Sequence, residues 1–305
     1  MTARIEPRLT AGEACGRLLS DLVDVIEEQH PGALVGEDPE CLHQLRVAVR
    51  RTRSGIKAFR GVYPADRLPR YAAGFRWVQQ ATGPVRDLDV QLMSFPSEPA
   101  LEPLRELLTI KREAARWVMC SALKSRRYTD LMTHWRALLA EPADGPEAER
   151  PVPDVAGERI HRAYQRVVKP ARNIRPDSPA ERLHDVRKRG KELRYLLEFF
   201  TELYPRKPMK RLVSELKSLQ DNLGAFQDHE VQTAHLREWG EELSIAGVDE
   251  ATILAVGELI VHHEQAGEAT RAEFAERFAR FDRPRNRTDF KTLFRVRPPA
   301  APLSA

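Results

Sequence analysis

Cysteine is scarce: only Cys15, Cys41 and Cys120 occur in 305 residues, far apart and with no Cys-x2-Cys pair. That excludes a disulfide frame and a cysteine-built zinc site, and it fits a reducing compartment. No run approaches the ~20 apolar residues that a membrane span requires. The opening "MTARIEPRLT" lacks the apolar stretch of a secretory leader. A soluble, cytoplasmic chain with no membrane association is expected. Aromatic residues make up only 7%, which counts against a surface that stacks nucleobases. Period-2 alternation is scarce, so strands are not expected. No Gly-rich phosphate loop, Gly-x-Ser-x-Gly elbow or His-Glu-x2-His pair is present. The expectation is therefore a protein without catalytic activity, cofactor or metal.

What is present is helical periodicity. Apolar residues recur at spacings of three and four along nearly the whole chain, and 42% hydrophobic content suffices for a real core. Pro and Gly mark the boundaries. The richest such stretch, 141–157, reads as a linker between a first helical bundle over 8–140 and a second over 158–282. Residues 283–305 read as a basic, Pro-rich tail with partial disorder. The net charge is only +4, so the distribution of charge matters more than its total.

An offset of 141 residues superposes the two halves without a gap from Leu42 to Asp89. His43 falls on His184, Arg46 on Arg187, Arg50 on Lys191 and Arg53 on Arg194. Phe59, Tyr63 and Pro64 fall on Phe200, Tyr204 and Pro205; Gln79, Gly83 and Asp87 fall on Gln220, Gly224 and Asp228. A shared His, shared cations and a shared Tyr-Pro stop in one register argue for an internal repeat. The expected fold is all-α: two pseudo-symmetric antiparallel four-helix bundles.

The first copy carries His43, Arg46, Arg50, Arg53, Lys57 and Arg60 at spacings of 3, 4, 3, 4 and 3. On a helix these form one stripe about 100° wide, while Leu45, Val49, Ile56, Phe59 and Tyr63 take the core face. The second copy repeats the stripe at His184, Arg187, Lys191 and Arg194, with Lys188 beside it. It ends sooner, because Glu198 stands where Lys57 would fall. Solvated faces normally mix signs, and like charges one turn apart repel by a few tenths of a kcal/mol per pair. The first stripe has no acidic partner within its helix, and a doubled stripe that accepts this repulsion points to an external anion. Arg159, Arg162, Arg166 and Lys169 share one face of a further helix, and Arg112 and Arg116 sit on another; if these faces converge, they extend the same basic channel.

Other chemistry is weaker. Three Glu-x2-His triplets, ending at His43, His161 and His184, resemble half of a di-iron carboxylate site. Ser178-Pro179-x-Glu181 and Asp38-Pro39 account for two of them as helix starts. Asp87, Asp89 and Asp228 fit capping or ion pairs that orient Arg better than acid/base pairs. "HHE" at 262–264 fits an exposed helix turn. His43 and His184 suit either donation to phosphate or a hydrogen bond to a neighbouring helix end.

The doubled His-x2-Arg-x3-Arg/Lys-x2-Arg pattern, each copy ending in Phe-x3-Tyr-Pro, resembles the CHAD domain, the conserved histidine α-helical domain. "GPVRDLDV" and its weaker copy "GAFQDHEV" resemble that family's Gly-x2-Arg-Asp-x-Asp segment. The resemblance covers residues 8–282. It implies two four-helix bundles and a basic groove that binds inorganic polyphosphate, with association with polyphosphate granules as a further expectation. Lys191, Gln227 and Glu230 depart from the pattern. The Glu-x-Glu-x-Lys signature of the triphosphate-cleaving CYTH domain, sometimes fused to CHAD, is absent. The electrostatics agree: Arg and Lys rows one turn, ~5.4 Å, apart can meet successive phosphates. The rival readings are an RNA or single-stranded DNA binder, driven by the same phosphate charge, and a helical protein-interaction scaffold.

Overall fold

A computed structural model describes residues 5–294. Among the described residues there are twelve α-helices, two single-turn 3-10 segments and no strand. In the first half lie α1 (Ala11–Val35), α2 (Pro39–Ala58), α3 (Leu68–Ala81), α4 (Gly83–Ser94), α5 (Glu102–Leu123) and α6 (Arg126–Ala140). The second half holds α7 (Val152–Ala171), α8 (Ala180–Phe199), α9 (Arg206–Ala246), α10 (Glu250–Ala272), α11 (Phe274–Phe281) and α12 (Pro284–Leu293). The all-α expectation holds. Each half carries more than the four helices expected.

Local sequence explains where the helices begin and end. Thr10 and Glu13 form a reciprocal capping box at the start of α1. Gly36, at φ 76°, closes that helix in the left-handed conformation that glycine adopts without a Cβ penalty. Asp38 caps α2 by accepting the Glu40 N–H, with Pro39 in the first turn. At α8 the expected Ser178 cap is not made. The Ser178 hydroxyl instead accepts the Arg175 N–H, within the preceding turn.

Helix positions keep the offset seen in the sequence. α1 and α7 start 141 residues apart, and α2 and α8 both start and end 141 residues apart. The correspondence then loosens for a local reason. α3 and α4 break at Thr82, ahead of Gly83-Pro84, because proline disfavours helical geometry in the residue before it and supplies no N–H. The second half has Gly224-Ala225 there, so α9 runs unbroken for 41 residues.

The halves are not separate bundles. Phe59 and Phe200, at the ends of α2 and α8, meet edge to face at 5.4 Å inside one continuous core fed by both halves. A second core joins Leu101, Leu104 and Leu108 to Leu236, Trp239 and Val256, where α5 meets α9 and α10. The stretch expected as a linker is a packed connection. Gly145 N–H donates to the Val62 carbonyl at 2.8 Å and Glu147 N–H to that of Gly61 at 2.9 Å. A Cβ at Gly145 would lie 2.4 Å from the Gly61 oxygen, so only glycine fits. Residues 152–157 already belong to α7.

The tail expected after Asp282 is also corrected in its first part. Residues 284–293 form α12, and Phe290 and Phe294 are fully buried, with Phe290 stacked on Tyr164 at 3.8 Å. Buried Asp282 holds this region by accepting from Arg172 at 2.8 Å and from Arg287. Residues 295–305 of that tail, with Arg295 and Arg297, lie outside the described residues. Phe290→Ala should cost ~3–5 kcal/mol through lost burial and a cavity. A denaturation midpoint unchanged by this substitution would show that α12 is not part of the cooperative fold.

Candidate anion-binding groove

The core faces of α2 and α8 turn inward, so their basic stripes share one surface. Arg50 lies close enough to Lys191 to disfavour its charged form. Burial is the main force that pushes Lys191 down to about 8, and Arg187 and Arg50 add to it. Arg46 donates through Nη1 to the Gln79 carbonyl and to Thr82 Oγ1, both at 3.0 Å, and so ties the stripe to the α3–α4 break. Arg187 lies 3.6 Å from Asp228. Asp87 is a charged neighbour of both Arg46 and Asp228, so the two acidic segments lie close to the cations of the groove. The Nε atoms of Arg50 and Arg187 are buried and make no hydrogen bond to protein. Arg194 reaches Glu198 at 3.3 Å within its own helix.

The two histidines differ. His43 is held below its ordinary range, first by burial and then by Arg86, Arg50 and Arg46, against the opposing pull of Glu40. It is therefore neutral at neutral pH, with one ring N–H to donate. His184 Nδ1 is hydrogen-bonded to Gln227 Oε1, so one ring nitrogen serves the fold. Gln227 is the offset partner of Arg86, and the departure from Arg is what allows this bond.

The basic face of α7 does converge on α2. Lys57 and Arg60 line a cavity of about 690 Å³ with Arg159, Arg162 and Arg166 of α7 and Glu192 of α8. Arg159 donates to the Arg60 carbonyl at 2.8 Å, and Arg166 reaches Glu192 at 2.7 Å. Lys169, exposed at the end of α7, is not among the lining residues. Lys188 is exposed and sits 3.8 Å from Asp185 on its own helix.

Arg112 and Arg116, expected to extend the channel, are bonded to protein groups away from the α2–α8 seam. Arg112 Nε donates to buried Asp89 at 2.6 Å, which holds α5 to α4. Arg116 donates to the Leu34 carbonyl at 3.1 Å and to that of Val35, capping the C-terminus of α1, where a cation is favoured. Asp89 thus pairs with an arginine as expected, and both cations have protein partners. A helical wheel could not show it, because their partners are distant in sequence. Conversely, Arg76 of α3 faces Arg53, and Arg86 of α4 faces His43. Arg86 stood within the quoted Gly-x2-Arg-Asp segment. Arg76 has a cationic offset partner, Lys217, which was the available signal.

Among the described residues, no group of three or more His, Cys, Asp or Glu is placed to hold a metal ion. Of the turn at 262–264, His262 and Glu264 are exposed as expected, while half-buried His263 faces His229 with ring nitrogens 3.0 Å apart. No helix among the described residues is long and apolar enough to cross a membrane.

An all-helical fold with a cation-lined seam between two offset halves is the architecture of a known class of protein. The CHAD domain family model matches residues 17–237, and the chain belongs to that family. The match is narrower than the 8–282 span that the motifs suggested. The chain is similar to the crystal structure of the CHAD domain from the plant Ricinus communis, at 29% identity and TM-score 0.78, over 92% of this chain and 95% of that one. It also shares its fold with PptA from Streptomyces chartreusis, at 19% identity and TM-score 0.63, over 88% and 98% of the two chains. No curated protein matches the sequence.

The crowding at Lys191 has a measurable cost. Its folded value of about 8 lies below its ordinary 10.5, so the unfolded chain binds the proton more tightly. This penalty is fully present below pH 8 and is relieved as pH rises from about 8 to 10.5. Lys191→Met should raise the thermal midpoint at pH 7 and flatten that rise. A lower midpoint would show that the ammonium stabilises the apo fold.

Proposed function

We propose that this protein binds inorganic polyphosphate in the groove between α2 and α8 and does not catalyse its turnover. The observation that carries the reading is the crowding of Arg50, Arg187 and Lys191, with buried guanidinium Nε atoms that no protein group satisfies. Like charges so arranged are unfavourable alone and favourable around a flexible polyanion. Membership of the CHAD family and the doubled motif support the same ligand. The acids nearest the groove are neighbours of arginine, a positioning arrangement rather than an acid/base one. Such binding would place the protein on cytoplasmic polyphosphate granules.

The RNA or single-stranded DNA reading lacks stacking surfaces where the cations are. Phe59, Tyr63 and Phe200 are buried in the core, and exposed Trp117 lies on α5, a single ring rather than a track. Long polyphosphate should bind far more tightly than orthophosphate or ATP, with RNA of equal charge a poor competitor. Charge reversal at Arg50 or at Lys191 should each weaken binding while the melting curve stays cooperative. Affinity should fall steeply with salt, and Arg53→Ala should flatten the log–log slope by about one contact, using the duplex calibration of ~0.9 per phosphate as a guide to scale. RNA binding as tight as polyphosphate, or a flat salt dependence, would overturn this function.

Ligand charge must also raise the Lys191 value on binding. Affinity should therefore be highest below pH 8 and decline above it, with protons taken up during binding near that pH. Lys191→Arg should remove this decline. If the decline persists unchanged in that variant, Lys191 is not in the site.

A further inference from the structure

The two ends of the groove occupy offset positions but have opposite chemistry. At the α7 end the cavity gathers Lys57, Arg60, Arg159, Arg162 and Arg166. Stepping back 141 residues from the α7 arginines, and forward 141 from Lys57 and Arg60, gives Leu18, Asp21, Val25, Glu198 and Thr201. The counterpart end exists as a real place in the fold. Arg51 lies over the Phe199 ring at 5.3 Å, and these are the offset partners of Glu192 and Ala58, which share the cavity wall. A Cβ at Gly55 would touch Leu18, and these are the offset partners of Leu196 and Arg159, again both on that wall. Over all the wall positions, one end thus carries five cations and one acid, Glu192, while the other carries three acids, Asp21, Asp24 and Glu198, and one cation, Arg51.

The wall of the basic cavity includes one acid. Glu192 accepts from Arg166 Nη2 at 2.7 Å. A phosphate oxygen approaching Arg166 must compete with that carboxylate and meets its repulsion.

We propose that a polyphosphate chain seated between Arg50 and Lys191 leaves the groove in one direction only, over the α7 cavity, with Glu192 as a competitor that only longer chains displace. This rests on the polyphosphate reading above and adds a direction and a length discriminator to it. From Arg50 to Lys57 is seven residues, ~10 Å along a helix. Tripolyphosphate at the centre need not reach the cavity, whereas a long chain running along α2 must cross it.

The test is a titration of the full chain with tripolyphosphate and with long-chain polyphosphate. It compares wild type, Arg162→Ala/Arg166→Ala, Glu192→Gln and Arg50→Glu. Arg162 and Arg166 are exposed, so the fold should persist, and a melting curve checks it. The double variant should lose about tenfold in long-chain affinity, the equivalent of one charge-assisted contact. Its tripolyphosphate affinity should stay at the wild-type level. Glu192→Gln should strengthen long-chain binding and leave tripolyphosphate binding unchanged. Equal losses for both ligands in the double variant, or no loss for either, would overturn the one-way exit. Unchanged affinity of both ligands for Arg50→Glu would instead reject the groove itself, so the two failures are distinguishable.

Discussion

The close approach of like charges between α2 and α8 is the constraint around which the molecule is arranged. It exists because each helix turns its apolar face the other way, into a core where Phe59 meets Phe200. Burial of those faces fixes the helices side by side, and the cations must follow. Arg50 and Lys191 are thereby brought together although the Lys191 ammonium would be more stable in water. The fold imposes an unfavourable field, and the core beneath it bears the strain.

The remaining elements place charge around that seam. The α3–α4 break lets Arg46 donate to Gln79 and Thr82, and it brings Asp87 into range. Asp228 serves Arg187 from the unbroken α9. The packed connection at 141–151 sets α7 against α2, which creates the cavity shared by Lys57 and Arg162. Cations with another task are withdrawn: Arg112 to Asp89, Arg116 to the end of α1, Arg172 and Arg287 to Asp282. Electrostatics therefore divides the arginines into those neutralised by the fold and those left to face solvent.

The offset halves are alike in helix register and unlike in detail, and the unlike details are chemical. Gln227 in place of Arg86 converts a repulsive neighbour of histidine into a hydrogen-bond partner. Glu198 in place of Lys57 gives Arg194 an ion pair. Ala225 in place of Pro84 lets α9 continue through the break. A symmetrical pattern thus supports an asymmetrical surface.

The sequence by itself determined the helical class, the offset between halves and the central stripe. Each of these is a periodic signal, and a helix converts period directly into a face. Arg46, Arg50, Arg187, Lys191 and Arg194 were legible for that reason. The fate of Arg112, Arg116, Lys169 and the segment after Asp282 was decided only by tertiary structure. A cation's role depends on whether a carbonyl or carboxylate lies within hydrogen-bond reach, and those partners are 23 residues away for Arg112 and 82 for Arg116. The same holds for α12: nothing local marks Phe290 as buried, because the Tyr164 ring that covers it comes from α7. Whether Arg162 joins Lys57 was likewise settled by how the packed connection orients α7, a question of three-dimensional distance that spacing along one helix cannot answer.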